Sequence, residues 1–252
     1  MRALYFAKPL EYRLEVTGDT FVQGDSLAGT LSVTNRDDAP QTKLTLQLGL
    51  AYGVYKEIKA EGQRAMRVLE RLTLAEGFSL KPGEEKRCEW KLPLELTGPV
   101  QSKEGSPFLL YGGDLDKPET RGQIDLPVQL ATPFKAFLTT LENHFAFELR
   151  GTTCLDGVLE GRFKPPTSYP TLEELTVLVS IEEKGVKVEF LSRGKGLKRG
   201  EEGGVTTKKR GAAKTIPMEQ FLPRSGLPNR ALYRDLVDQL LPQIAVRVER
   251  KG

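Results

Sequence analysis

From Lys43 to Val54 the chain alternates large apolar residues with small or polar ones without a break. Leu44, Leu46, Leu48, Leu50, Tyr52 and Val54 hold one parity, and Lys43, Thr45, Gln47, Gly49, Ala51 and Gly53 the other. A period of two sends successive side chains to opposite faces of an extended chain. A helix would scatter the same apolar set around its axis. The segment is therefore expected as a β-strand, one face on a core and the other on solvent or a small-residue surface.

The same rhythm returns in Leu27 to Val33 after the turn Gln23-Gly24-Asp25, and in Cys88 to Leu92 after Lys81-Pro82-Gly83-Glu84. It appears again in Ile124 to Val128. Short strands separated by Gly, Pro and Asp imply an antiparallel sandwich, and no βαβ alternation supports a doubly wound sheet. The 252 residues leave room for two such domains.

One segment breaks the rhythm. Phe134, Phe137, Leu138 and Leu141 recur at helical spacing, with Thr132 as the expected N-cap and Pro133 in the first turn. A lone helix after a run of strands reads as a hinge. The expected architecture is all-β, two tandem antiparallel β-sandwiches at 1–131 and 132–252. Strands are expected at Phe145 to Leu149, Leu155 to Phe163, Leu175 to Ile181 and Val186 to Phe190, with Gly185 in a hairpin turn. A second helix is expected near 229–241. Asn229 caps it, Leu232, Leu236, Val237, Leu240 and Leu241 line it, and Pro242 stops it. Ile244, Val246 and Val248 are expected as a last strand.

Charge is unevenly placed. Residues 1–130 carry 17 basic and 19 acidic side chains, and residues 131–252 carry 20 and 15. The excess sits in 193–214, where Arg193, Lys195, Lys198, Arg199, Lys208, Lys209, Arg210 and Lys214 face two glutamates. This segment is expected as a Gly-rich basic loop. Its plain account is a solvated connection between strands. Its functional account is weak, salt-sensitive attraction to an anionic partner, whether nucleic acid, anionic surface or acidic protein. The Walker spacing is absent, and the segment has no aromatic side chain to stack on bases.

No site for chemistry can be assembled. A single histidine, His144, excludes multi-histidine metal centres, so neither a metal nor a cofactor is expected. A nucleophilic site from Cys154, His144 and Asn143 would need an activated thiolate, and small-hydrophobe packing accounts for Cys154 more simply. Carboxylate neighbours such as Glu173-Glu174 point to opposite strand faces and make poor acid/base pairs. Cys88 and Cys154 form no disulfide framework, no apolar run is long enough to span a bilayer, and Lys8-Pro9 interrupts any signal-peptide core. Cytoplasmic location and no membrane span are the expectations.

The block Phe21 to Val33, with Gly24-Asp25 followed by Leu27, Gly29, Leu31 and Val33, resembles the opening of arrestin-like N-domains. Leu80-Lys81-Pro82-Gly83-Glu84 with Trp90-Lys91-Leu92-Pro93, and Tyr111 to Asp116 with Ile124 to Val128, resemble later strands of that domain. Thr132-Pro133, the helix through Glu142-Asn143 and Phe145 to Leu149 are similar to the linker of the bacterial sporulation-control family. Leu172 to Val177 and Val186 to Phe190 resemble the hairpin of that family's C-domain. The resemblance spans residues 10–195. It implies a regulatory or scaffold role without catalysis, through a protein partner docked on a sheet edge or on inter-domain loops. A homodimer through a sheet edge is a further arrangement of this kind.

Overall fold

The computed structural model describes residues 1–197, 205–223 and 226–245, with side chains at 1–194, 209–223 and 226–245. The chain divides into two compact units, Met1–Gln129 and Leu130–Gly252.

In the first unit, β1 (Arg2–Ala7), β2 (Leu10–Val16), β4 (Ser26–Asn35) and β7 (Glu85–Pro93) form an antiparallel sheet in the order β1-β2-β4-β7. Strand β3 (Phe21–Val22) pairs in parallel with β10 (Val128–Gln129). The second layer is β6 (Arg67–Leu80), β5 (Gln41–Val54), β8 (Gly105–Gly112) and β9 (Arg121–Asp125), in the order β6-β5-β8-β9. Tyr12, Leu14, Leu31, Val33, Trp90 and Leu92 of the first sheet are buried, as are Leu46, Leu48, Leu50 and Tyr52 of β5. Each fully buried leucine contributes about 1.5–3 kcal/mol of transfer free energy.

The small-residue parity of β5 is covered as well. Gly49, Ala51 and Gly53 leave room for side chains from helix α1 (Tyr55–Glu61), the 3-10 turn Gly62–Ala65 and the loop before β9. Ala51 packs with Met66, Phe108, Leu110 and Leu115, and Ile58 and Val68 close this cluster. A Cβ on Gly53 would come 2.5 Å from Ile58 Cδ1, so glycine there is a matter of space. Central strand β5 thus has core on both faces, large side chains inside the sandwich and small ones beneath α1.

The second unit begins with α2 (Thr132–Phe145), followed by β11 (Glu148–Leu155), β12 (Val158–Lys164), β13 (Leu172–Glu182), β14 (Gly185–Leu197) and β15 (Val205–Ile216). These five strands form one antiparallel meander in sequence order. Helices α3 (Met218–Phe221) and α4 (Arg230–Ile244) complete it. Among the described residues the layer opposite this sheet is helical. Val177, Val179, Val188 and Phe190 are buried on the sheet side, and Phe134, Phe137, Phe221, Tyr233, Leu236 and Leu240 on the helix side. Phe221 is the aromatic centre, with ring centroids 5.9 Å from Phe134, 5.6 Å from Phe137 and 5.1 Å from Tyr233. The all-β, arrestin-like class holds, realised in this unit by one sheet backed by helices.

Several local expectations are corrected. Thr132 is the first residue of α2, and its N-cap is Ala131, which offers no capping side chain. The helix runs on through Phe145, which was expected in a strand, and ends on Ala146 in the left-handed region. The Phe147 N–H closes that end on the Leu141 carbonyl at 3.1 Å. Asp156 and Gly157, both at positive φ, turn β11 into β12 where a single strand from Leu155 was expected. Asn229 does cap α4, accepting from the Leu232 N–H at 3.3 Å. Pro242 lies inside that helix, which continues to the buried Ile244. Ile244 is therefore helical, and Val246 and Val248 lie outside the described residues.

Candidate partner-binding edge of the second sheet

The segment expected as a basic loop is mostly strand. Residues 193–197 continue β14, residues 205–214 belong to β15, and the two pair without a register break from Val186↔Ile216 to Leu197↔Val205. Lys198 and Arg199 lie outside the described residues. The backbones of Lys195 and Lys208 are paired, to Thr207 and Gly194 respectively, and their side chains are outside the description. The polar sequence conceals a strand because backbone pairing forms here without apolar alternation in the side chains.

Strand parity then divides the cations. Residues directly opposite in an antiparallel pair share a face. Arg193 stands opposite Lys209 on the outer face, next to Leu191 and Gly211. Arg210 stands opposite Ser192, and Lys214 opposite the buried Val188, so both lie on the helix side. Lys214 Nζ donates to Gln239 Oε1 of α4 at 2.5 Å. Ser192 Oγ donates to the Ile244 carbonyl at the end of α4, at 3.5 Å. The four basic positions with described side chains, Arg193, Lys209, Arg210 and Lys214, are thus not one patch.

On the outer face, Glu174, Thr176, Leu191, Arg193, Lys209 and Gly211 line an open groove. Glu174 is the β13 partner of Arg193. Leu191 is exposed and lies over Gly211, where a Cβ would come 3.2 Å from its Cδ2. Elsewhere on this face cations are paired along their own strands, Lys187 with Glu189 at 3.3 Å and Arg162 with Glu160 at 3.6 Å. Among the described residues Arg193, Lys209 and Arg210 have no carboxylate within ion-pair distance. Leu191, Glu174 and Thr176 were missed as site residues, since only the strand register places them beside the cations.

β15 is the terminal strand of its sheet, with no strand on its far side among the described residues. An edge strand presents every second N–H and C=O outward as a pairing template. Lysine and arginine on such a strand oppose pairing with a like-charged strand and attract an acidic one.

The remaining candidates are placed apart. His144 is exposed in the last turn of α2, its Nε2 2.8 Å from Arg234 Nη2. A guanidinium can only donate, so that nitrogen accepts. His144 and Asn143 line a polar cleft with Thr132, Lys135, Thr139 and Arg230, while Cys154 is buried in β11. Among the described residues no group of three or more His, Cys, Asp or Glu side chains is placed to hold a metal. No described helix is long and apolar enough to cross a membrane.

No protein-family model matches the chain, and no curated protein matches it. Among solved structures, the sporulation control protein Spo0M of Bacillus subtilis superposes with a TM-score of 0.65 at 17% identity. The match covers 92% of this chain and 98% of that one. At that identity the likeness is one of fold, and the chain has the arrestin-like fold of that sporulation control protein. The alkylpurine DNA glycosylase AlkC of Pseudomonas fluorescens matches at 0.28 and 17% identity, over 47% of this chain and 30% of its own. A β-glucosidase of Listeria innocua matches at 0.29 and 14% identity, over 47% and 16%. Neither of these partial matches carries an argument.

Proposed function

We propose that this protein is a non-enzymatic regulatory or scaffold protein that acts in the cytoplasm by binding a protein partner along β15. The observation that carries the reading is the position of β15 at the end of a sheet backed by helices. A buried helical layer fixes the strand in place, so its outward backbone groups form a rigid template. The fold shared with a sporulation control protein supports a regulatory role. Cys88 and Cys154 are not in a disulfide, which suits a reducing compartment. A homodimer would form through a different sheet edge, because β15 carries cations on both faces.

The exposed pair Arg193 and Lys209 favours a second reading, attraction to nucleic acid or an anionic surface. Glu174 beside Arg193 and Glu189 on the same face weaken it, since they repel phosphate.

Affinity purification from the protein's own cells separates the two. A protein partner retained at high salt by the wild type, and lost by K209E/R210E, supports the scaffold. Recovery of nucleic acid that falls steeply with salt supports the second reading. An identical partner set for wild type and variant removes β15 as the site. Turnover in a broad hydrolase screen would overturn the non-enzymatic assignment.

A further inference from the structure

The composition of β15 decides what can pair with it. The first candidate is a second copy of the same strand. In an antiparallel pair centred on Ala212, Arg210 would face Lys214 of the copy at both ends. Centred on Lys209 or Arg210, that cation would meet its own duplicate. Like charges directly opposite destabilise a strand pair, so each of these registers is disfavoured for a second copy.

The same charges select their complement. A sixth strand beside β15 would place its side chains on the faces already defined. Lys209 is on the outer face, and Arg210, Ala212 and Lys214 are on the helix side. Between the two helix-side cations lies the buried Ala212, 6% exposed. We propose that β15 takes up an extended acidic segment of a protein partner. Its carboxylates lie beside Lys209, Arg210 and Lys214, and an apolar side chain lies beside Ala212. Read along an antiparallel strand, the pattern is acidic-x-apolar-x-acidic-acidic, and along a parallel strand its reverse. The spacing follows from the period of two and the register alone. The inference names the partner class for the scaffold reading and rests on it.

Nucleic acid fits this edge less well. The groove residues described beside β15 include no aromatic ring for a base to stack on, and Glu174 and Glu189 share its outer face.

The test uses the whole chain and labelled peptides followed by fluorescence anisotropy, with hydrogen exchange of the β15 amides as a second readout. The probes are Glu-Thr-Leu-Thr-Glu-Glu, its reversed sequence, a version with serine in place of glutamate, and an oligothymidylate. The expected result is binding of one acidic peptide with new protection along β15. K209E, R210E and K214E, all at exposed positions, should each weaken it on the order of tenfold. A peptide with lysine at the position facing the reversed charge should restore binding to that variant, which a loss of folding could not mimic. Equal binding and protection by the serine peptide would overturn the acidic chemistry and leave edge binding of a protein standing. Binding of oligothymidylate alone would overturn both. Acidic-peptide binding that survives all three reversals, or no binding by any probe, would overturn the inference.

Discussion

Gly29 of β4 lies directly under the indole of Trp90 of β7, its register partner. A Cβ on Gly29 would stand 2.8 Å from Trp90 Cζ2 and would also strike the Glu15 carbonyl of β2. The indole can occupy the space over this position only because the position has no side chain. Gly29→Ala is therefore expected to destabilise the first unit by about 1–3 kcal/mol, the usual cost of overpacking. Trp90 is the chain's only tryptophan and is 5% exposed, so its emission reports this unit directly. The variant should shift the denaturant midpoint followed by tryptophan emission. An unchanged midpoint would mean the two strands can separate without cost.

Tyr233 makes a comparable tie in the second unit. Its hydroxyl donates to the Phe221 carbonyl at 2.9 Å inside the aromatic cluster, joining α4 to α3. Tyr233→Phe keeps the ring contacts and strands a buried carbonyl, a loss of about 1–3 kcal/mol. Calorimetry should show a lower transition temperature with the far-ultraviolet spectrum intact. A variant as stable as the wild type would show that water replaces the hydroxyl.

Alkaline pH acts on the same residue. Burial pushes the phenols of Tyr12, Tyr111 and Tyr233 up to about 12 from an unfolded value near 10. Between these values the folded state holds protons that the unfolded state has released, so stability falls as pH rises through this window. Below pH 10 the three phenols are neutral in both states and contribute no slope. Denaturant titrations from pH 9 to 12 should show the decline, and Tyr233→Phe should make it shallower. Tyrosinate absorbance reaching its full amplitude near pH 10 in the folded protein would contradict this.

The turn Asp156-Gly157 between β11 and β12 is flanked by the apolar Leu155 and Val158, a pattern that local alternation alone extends into one strand. Both turn residues have positive φ, 52° and 75°. Gly157→Ala forces a side chain into that region and should cost about 1 kcal/mol. Asp156→Gly relieves the positive-φ strain at its position and should therefore cost less than Gly157→Ala. Reversed order in their melting temperatures would argue against this turn type.

What could be read in advance follows the physics of each signal. The period-two run of β5, the apolar spacing of α2 and the Asn229 cap are local patterns tied to burial, and the structure retains each. The distal strands of the β14–β15 hairpin carry little apolar alternation. Their pairing is a backbone property that side chains do not announce. For the same reason the candidate edge was found as charge but not as geometry. Which of Arg193, Lys209, Arg210 and Lys214 share a face depends on a register that only the fold supplies.

Pro242 shows the opposite case, a strong local signal overruled by packing. A proline inside a helix removes one N–H and crowds the carbonyl four residues before it, a cost of about 3 kcal/mol in a helix interior. Here α4 continues for two residues to seat Ile244, 4% exposed, against the sheet, where its carbonyl meets Ser192 Oγ. Burial of that last turn offsets the missing hydrogen bond. Pro242 itself is exposed, so Pro242→Ala gives up no core contact and restores a donor for Asp238. The substitution should stabilise the second unit by about 1–3 kcal/mol, read as a raised melting temperature and slower exchange of the amides from Gln239 to Ile244. Ile244→Ala should do the reverse, costing about 2–4 kcal/mol and fraying the helix back toward Pro242. If Pro242→Ala left both quantities unchanged, the end of α4 would be held by tertiary contacts alone.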